Sequence, residues 1–200
     1  MITSEDELDE IEKLIREVKK GLDEKNIPYK NIRTGIMIET PAAVMISEEL
    51  GKRVDFLSLG TNDLTQYTLA MDRQNLLLKD KYNDHHPALV KMIRMVTEAG
   101  HKSGCEVYIC GELAADSNLT EAFIQMGVDG LSVVPACVLP VRKAIRSSYA
   151  DEAKPAGGSS KREIISEKIK ILGISMLISH IGFSGFFDGI FHSRLIAVLN

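Results

Sequence analysis

The stretch DFLSLGTNDLTQYTLAMDR, residues 55–73, contains both the pattern that decides the fold and a dense group of polar side chains. Its first residues are apolar, as in a strand that is buried on both faces of a parallel sheet. The chain leaves this strand through Gly60, and Asn62, Asp63 and Arg73 follow shortly after. A plain connection needs only one or two turn residues. The density of polar side chains directly after a buried strand therefore predicts a ligand site.

Outward from this stretch, short apolar segments alternate with helical ones. Ser4 and Glu7 form a capping box that begins an amphipathic helix over about residues 5–25. Four strands are predicted, each followed by a helix: strands 35–39, 54–59, 106–110 and 130–134, with helices beginning at Thr40-Pro41 and covering about 87–100, 118–126 and 140–147. Such alternation favours parallel strands joined by right-handed crossovers. The predicted fold class is therefore α/β.

Ligands of parallel α/β folds bind beyond the carboxyl ends of the strands. Glu39, Asn62, Asp63 and Cys110 all lie at such ends in the predicted strand order. This coincidence is the main indication, from the residues alone, of an active site.

Glu39 and Asp63 close two successive strands, so neighbouring strands would bring their carboxylates within reach of one cation. Mg²⁺ accepts one or two carboxylates and completes its shell with water and substrate phosphate. The alternative is that Asp63 only begins a helix and Glu39 is only a loop acid.

Three further residues have a functional and a structural interpretation. Asn62, at a helix start, either faces an anion or acts as an N-cap. Arg73 offers a planar fork to phosphate or carboxylate, or else forms a surface ion pair. Cys110 is a candidate general acid or nucleophile, or a buried strand cysteine. The pair His85-His86 is expected to cap or precede the helix that begins at Pro87.

Composition limits the class of protein. The 200 residues are 44% hydrophobic and 26% charged, as in an ordinary globular protein, and the formal net charge of −4 gives no reason to expect a nucleic acid or an acidic membrane as partner. Cys105, Cys110 and Cys137 are odd in number and form no CxxC pair, which favours reduced thiols in a cytoplasmic protein. No signal peptide is expected, because acidic residues follow the start.

The composition changes near residue 150. Residues 149–160, which include KPAGGSS, are predicted to be a linker, and residues 161–200 a helical apolar tail. The run 171–187 has no formal charge and borders on transmembrane length, but His180, Asp188 and three glycines oppose a membrane span. A packing or oligomerisation helix is the preferred interpretation, with a disordered end as the alternative.

Three spaced motifs resemble those of the enzymes that use phosphoenolpyruvate (PEP). They are GIMIETPAA at 35–43, the opening stretch at 55–73, and CGELAAD at 110–116. The segments TQYTLAMDR and CGELA are most similar to the corresponding segments of enzyme I of the bacterial sugar phosphotransferase system, a phosphoenolpyruvate-protein phosphotransferase. Pyruvate phosphate dikinase and PEP synthase share the barrel but differ around the cysteine.

The resemblance implies a role for each matched residue. Glu39 and Asp63 would hold Mg²⁺, and Asn62, Asp63 and Arg73 would bind PEP, whose phosphate contacts Asn62 and Arg73. Cys110 would protonate the enolate carbon as pyruvate forms. The phosphoryl group would pass to a histidine of a swivelling domain and then to a small phosphocarrier protein.

The resemblance also implies a (β/α)₈ TIM barrel, of which residues 1–148 would supply the last four βα units. The missing half-barrel would carry further arginines that bind phosphate and carboxylate, and the separate domain with the phosphorylated histidine would be missing too. Ala115 stands where the enzyme I pattern usually has glycine, and the tail does not look like the family's ending. These departures suggest a fragment, a split gene product or a decayed copy, inactive by itself.

Three functions remain open at this point. The first is part of a phosphoenolpyruvate-protein phosphotransferase, the second a non-catalytic module that binds PEP and Mg²⁺ or a partner half-barrel, and the third a relative of the dikinase or synthase. Four parallel strands that do not close leave two unpaired edges. We therefore expect a homo-oligomer or a partner half-barrel, with the apolar tail covering an edge or pairing two chains.

Overall fold

Helices and strands alternate along the chain in the computed structural model, which describes residues 1–151, 170–173 and 195–197. The elements are α1 (Glu5–Glu24), β1 (Thr34–Ile38), α2 (Pro41–Met45), α3 (Ser47–Gly51), β2 (Phe56–Gly60), α4 (Thr61–Leu69), α5 (Pro87–Ser103), β3 (Glu106–Cys110), α6 (Ser117–Met126), β4 (Gly130–Val133), α7 (Val138–Asp151), β5 (Lys170–Gly173) and β6 (Leu195–Ala197). Short 3₁₀ turns at Glu112–Ala115 and Pro135–Cys137 follow β3 and β4.

Strands β1 to β4 are parallel and lie side by side in chain order. A helix follows each of them, as expected for successive right-handed βα units. The prediction of an α/β fold with a parallel sheet is confirmed, and four such units are consistent with part of a barrel. Closure into an eight-stranded TIM barrel stays a prediction.

The local signals that begin the helices are present in the structure. The Ser4 side chain accepts a hydrogen bond from the Glu7 backbone N–H, as the predicted capping box requires. Thr40 caps α2 in the same way, and Pro41 occupies its first turn, where a missing N–H costs nothing. Ile46 leaves the helical conformation and separates α2 from α3.

Apolar side chains of the sheet form the core together with one face of the helices. Residues of β1, β2 and β3 with no exposed surface pack against residues of α4 and α5: Ile36, Ile38, Leu57, Leu59, Val107 and Ile109 against Leu64, Leu89, Ile93 and Val96. Helix α5 approaches the sheet so closely that a Cβ at Gly100 would lie 2.4 Å from a methyl carbon of Val107. This packing fixes the strand ends that carry the polar residues.

The tail contributes strands at both edges of the sheet, whose order is β5-β4-β3-β2-β1-β6. β5 pairs with β4 in parallel, and β6 pairs with β1 in the antiparallel direction. The prediction of a helical tail is therefore wrong for these two segments, because unpaired backbone groups at the sheet edges favour extended partners. The prediction that the tail covers an edge is confirmed.

The structure tests the other predictions for the end of the chain only in part. Helix α7 continues through Asp151, so the first residues of the predicted linker are helical. The rest of that linker, and the tail outside β5 and β6, lie outside the described residues. In the described ranges, none of the helices has both the length and the apolar character that crossing a bilayer requires.

Removing the tail strands should expose the edges of β1 and β4. Deleting residues 155–200 is expected to cause self-association, because both edges regain unpaired N–H and C=O groups. Light scattering at increasing protein concentration measures the effect. Deleting only residues 198–200, beyond β6, should leave the apparent molecular mass measured by light scattering at the value of the full chain. The same apparent mass for both truncations would contradict a role of the tail strands in protecting the sheet edges.

Candidate functional site

The carboxyl ends of β1 to β4 meet at one edge of the sheet and bring the candidate residues together. In the strand register, Gly60 lies opposite Cys110, and Cys110 lies opposite Ser132. Glu39 directly follows β1, whose last residue pairs with Leu59. One row of neighbouring strand ends therefore carries a carboxylate, a thiol and a hydroxyl.

Glu39 and Asp63 form a close pair of carboxylates at this edge. Only 3% of Glu39 is exposed, and its Oε1 has no hydrogen-bond partner among the described residues. Burial raises the pKa of Glu39 to about 7, the nearby charge of Asp63 adds to the rise, and the amino group of Met1 opposes it. Asp63 lies in the first turn of α4. The structure thus brings together the two acids that were predicted as metal ligands.

This donor set fits a hard divalent cation. The Glu39 oxygen, buried and without a partner in the described part of the chain, and the Asp63 carboxylate beside it offer two oxygen ligands, and this pair of acids is stabilised by positive charge. In the described part of the chain, no cluster of three or more histidine, cysteine or acidic side chains offers a fuller ligand set. A cation held here would therefore need water or a bound ligand to complete its shell.

Asn62 is oriented by the segment that follows β3. Its Oδ1 accepts a hydrogen bond from the Glu112 backbone N–H at 3.3 Å, and its carbonyl oxygen accepts one from the Tyr82 hydroxyl at 3.3 Å. Thr61 Oγ1 donates to the Cys110 carbonyl oxygen at 2.9 Å. Within residues 1–148, the Asn62 amide nitrogen has no hydrogen-bond acceptor of its own. It remains able to donate to an anion at the start of α4.

Gly111 permits the close contact between the segment after β3 and the start of α4. Its φ of +109° and ψ of −173° lie in a region that is essentially restricted to glycine. A Cβ at this position would lie 2.6 Å from Thr61 Oγ1 and 3.1 Å from Asn62 Oδ1. The absence of a side chain lets β3 turn directly against the start of α4.

Cys110 lies partly buried at the end of β3. Burial raises the pKa of its thiol, the Ser132 hydroxyl and the Gly111 backbone oppose the rise, and the charge of Glu39 adds to it. Ser132 Oγ is buried and forms no hydrogen bond of good geometry with the described residues. It nevertheless lies close enough to Cys110 to lower the pKa of the thiol. A thiol in this environment stays protonated at neutral pH, which suits a proton donor better than a nucleophile.

Arg73 lies in the loop of residues 70–86, which joins α4 to α5. Its backbone N–H donates to Gln66 Oε1 at 3.2 Å. Its guanidinium lies 3.8 Å from Glu112, whose side chain is 80% exposed, whereas that of Arg73 is 38% exposed. This long contact is a weak surface ion pair, so the guanidinium is available to a stronger anion near the Cys110 segment.

The other singled-out residues have structural roles. His86 caps α5 by accepting a hydrogen bond from the Ala88 N–H, as predicted. Cys105 is buried, with its sulfur 2.7 Å from the Gly51 carbonyl oxygen. Sequence reasoning missed Ser132 and Tyr82. The only available signal for Ser132 was a hydroxyl within an otherwise apolar strand.

Comparison with known proteins gives consistent matches. The family described as PEP-utilising enzyme, PEP-binding domain, matches residues 1–150. A phosphoenolpyruvate-protein phosphotransferase of Buchnera aphidicola is 43% identical over 155 residues, and one of Haemophilus influenzae is 41% identical over 155 residues; each alignment covers 77% of this chain. A phosphoenolpyruvate synthase of Pyrococcus furiosus is 38% identical over 146 residues, or 72% of this chain.

These relatives are much longer than the matched region. The chain spans 27% of the length of each of the two phosphotransferases and 17% of the length of the synthase.

Substitution of Gly111 should disturb the site more than substitution of another glycine with positive φ. Gly111→Ala is expected to cost about 1–3 kcal/mol more folding free energy than Gly104→Ala, because Gly104 has φ +82° and open space around its missing Cβ. Chemical denaturation of both variants measures the difference. Equal losses would show that Gly111 is not needed for close approach to Asn62.

Proposed function

The chain belongs to the PEP-utilising enzymes, whose PEP-binding domain it matches over residues 1–150, and on this premise we propose that its site binds PEP with Mg²⁺ as part of a phosphoenolpyruvate-protein phosphotransferase. The observation that carries the proposal is the buried Glu39 carboxylate beside Asp63 and near Cys110, with one oxygen that has no hydrogen-bond partner among the described residues. The overall reaction would transfer the phosphoryl group of PEP to a protein histidine and release pyruvate.

Glu39 and Asp63 would hold Mg²⁺ through carboxylate oxygens. When bound, the cation would neutralise charge on the phosphate of PEP. The raised pKa of Glu39 supports this role, because a buried carboxylate that is costly to ionise gains most from a neighbouring positive charge.

Asn62 and Arg73 would bind the phosphate. The Asn62 amide nitrogen is free among the described residues and lies at the start of α4, where backbone N–H groups favour an anion. Among the described residues, the Arg73 guanidinium forms one ion pair, a 3.8 Å contact with Glu112. Phosphate would replace that contact with a charge-assisted, bidentate pair.

Cys110 would be the general acid. As the phosphoryl group leaves PEP, the enolate oxygen regains carbonyl character and the methylene carbon accepts a proton from the thiol, which gives pyruvate and a thiolate. The burial that raises the pKa of Cys110 keeps the thiol protonated before this step. Solvent would return the proton to the sulfur afterwards.

The phosphoryl group would pass to a histidine outside the 200 residues and then to a phosphocarrier protein, in the cytoplasm, for sugar uptake. Three unpaired cysteines are consistent with a reducing compartment. Arg73 is the one arginine of this chain that we assign to the substrate, and single charge-stabilising donors are worth roughly 10²–10³ in rate. These residues tested alone should therefore bind PEP without turning it over.

Two other functions remain open. A non-catalytic module that binds PEP and Mg²⁺, or a partner half-barrel, would retain the same ligand site without the proton transfer. A PEP synthase-like function is supported by the 38% identity to the Pyrococcus furiosus protein. The higher identity to two phosphotransferases favours the first proposal.

Asp63 should be essential for Mg²⁺-dependent binding. Wild-type chain should unfold at a higher temperature when Mg²⁺ and PEP are added together, and Asp63→Ala should abolish this shift because one of two carboxylate ligands is lost. Asp80→Ala removes an exposed carboxylate on the loop and should keep the full shift. Equal loss in both variants, as measured by a thermal-shift assay, would argue against the assignment.

Cys110 should act in proton transfer and contribute little to binding. In the chain joined to the amino-terminal part of a phosphotransferase relative, Cys110→Ala should lower pyruvate formation by roughly 10²–10⁴-fold while PEP affinity changes only about two- to threefold. Cys105→Ala, which removes a buried thiol at the other end of β3, is the matched control and should retain turnover. A large loss of affinity with unchanged turnover would contradict the role.

A further inference from the structure

The loop of residues 70–86 carries Arg73, so its position decides where that guanidinium lies. Its first part is held to α4 through the Arg73 N–H and Gln66 Oε1. Its middle is held by the Tyr82 hydroxyl, which donates to the Asn62 carbonyl oxygen. Neither contact joins the loop to the segment that follows Cys110, and the Arg73–Glu112 contact that does so is long. The end of the loop supplies the missing connection.

His85 bridges two carboxylates at that end. Its Nδ1 lies 2.7 Å from Asp84 Oδ1, and its Nε2 lies 2.5 Å from Asp116 Oδ2. Ionised carboxylates only accept hydrogen bonds, so both contacts are satisfied together only when both ring nitrogens carry a proton. The geometry therefore selects the imidazolium form.

Asp116 is itself firmly placed. Its Oδ1 accepts a hydrogen bond from the Asn118 N–H at 2.8 Å and caps α6, while its Oδ2 faces His85. Asp116 is also the last residue of the CGELAAD segment that begins at Cys110. A bond from His85 to Asp116 consequently ties the end of the loop to the segment bearing the thiol.

We propose that His85 is a positioning residue: as an imidazolium held between Asp84 and Asp116, it fixes the 70–86 loop against the Cys110–Asp116 segment and thereby keeps Arg73 at the anion site. The effect on ligand binding rests on the function proposed above, whereas the effect on loop order does not. The side chains of His85, Asp84 and Asp116 are 47%, 44% and 19% exposed, so the consequence is local order and not global stability.

The bridge makes the loop sensitive to pH. Asp84 from the same loop and Asp116 from the connection between β3 and α6 are the charged groups that act on the ring within residues 1–148. Hydrogen bonds to Asp116 and then Asp84 raise the pKa of His85 above its ordinary 6.5, and burial opposes them. Both hydrogen bonds of the bridge are present below pH 6.5, the ordinary pKa of histidine, and they are no longer satisfied together once the pH rises through the raised pKa of His85.

Amide hydrogen exchange of the full 200-residue chain tests the bridge directly. At about pH 6, His85→Gln should raise the exchange rate of residues 72–82 by about fivefold, since the charge and one of two donors are lost. His101→Gln is the matched control, because His101 is similarly exposed and pairs with one carboxylate, Asp129, at 2.8 Å. It should leave the exchange of residues 72–82 unchanged. Equal rates in wild type and His85→Gln would overturn the proposal.

A charge-retaining variant separates the bridge from mere packing. His85→Arg keeps a cation with several donors and should preserve loop protection at alkaline pH, above the raised pKa of His85, where the wild-type protection has fallen after correction for intrinsic exchange. If His85→Arg exchanges as fast as His85→Gln at both pH values, charge bridging is not the cause and the proposal fails.

Titration of PEP in the presence of Mg²⁺ supplies the second readout. The PEP affinity of wild type relative to that of His85→Arg should decline with rising pH, because ionisation of Glu39, whose pKa is about 7, affects both proteins alike. If wild type binds no PEP while His85→Gln still loosens the loop, the proposed function is wrong and the positioning role in loop order stands. If wild type binds PEP, and His85→Gln has the same PEP affinity and the same loop exchange rate as wild type, the positioning role is wrong and the proposed function stands.

Discussion

The approach of the buried Glu39 carboxylate to Asp63 is the constraint on which the rest of the site depends. Two acids at adjacent strand ends repel each other, and burial adds to the cost of ionisation, as the pKa of about 7 at Glu39 reflects. The fold nevertheless holds them together, because β1 and β2 pair in parallel and Gly60 leaves room for Glu39. A protein that keeps such an unfavourable pair has a ready place for positive charge.

Hydrogen bonds between successive strand ends make the surrounding site rigid. The Thr61 hydroxyl binds the Cys110 carbonyl, and the Asn62 side chain binds the Glu112 N–H, so two hydrogen bonds join the start of α4 to the end of β3 and the turn after it. Gly111 allows this contact through a backbone conformation that other residues rarely adopt. Preorganisation of this kind places a carboxylate pair, a side-chain amide and a thiol near one another without requiring a long loop for each.

Local sequence patterns were sufficient for the parallel βα units and for the position of the candidate site. Apolar runs, helix caps and the rule that ligands bind at the carboxyl ends of strands predicted Glu39, Asn62, Asp63 and Cys110 as neighbours. Long-range contacts cannot be predicted from local patterns, since His85 meets Asp116 across 31 residues and Ser132 meets Cys110 only through strand register. The tail strands were missed for the same reason: sheet edges, and not local helical preference, determine β5 and β6.

If the Glu39–Asp63 carboxylate pair holds the cation, PEP binding depends on Mg²⁺. Calorimetric titration of PEP into the 200-residue chain, with and without Mg²⁺, tests this dependence. We expect binding of one PEP per chain in the presence of Mg²⁺ and at least roughly tenfold weaker binding in its absence, as for a coupling of more than about 1.4 kcal/mol between the two ligands. Equal affinity under both conditions, or no binding under either, would contradict it.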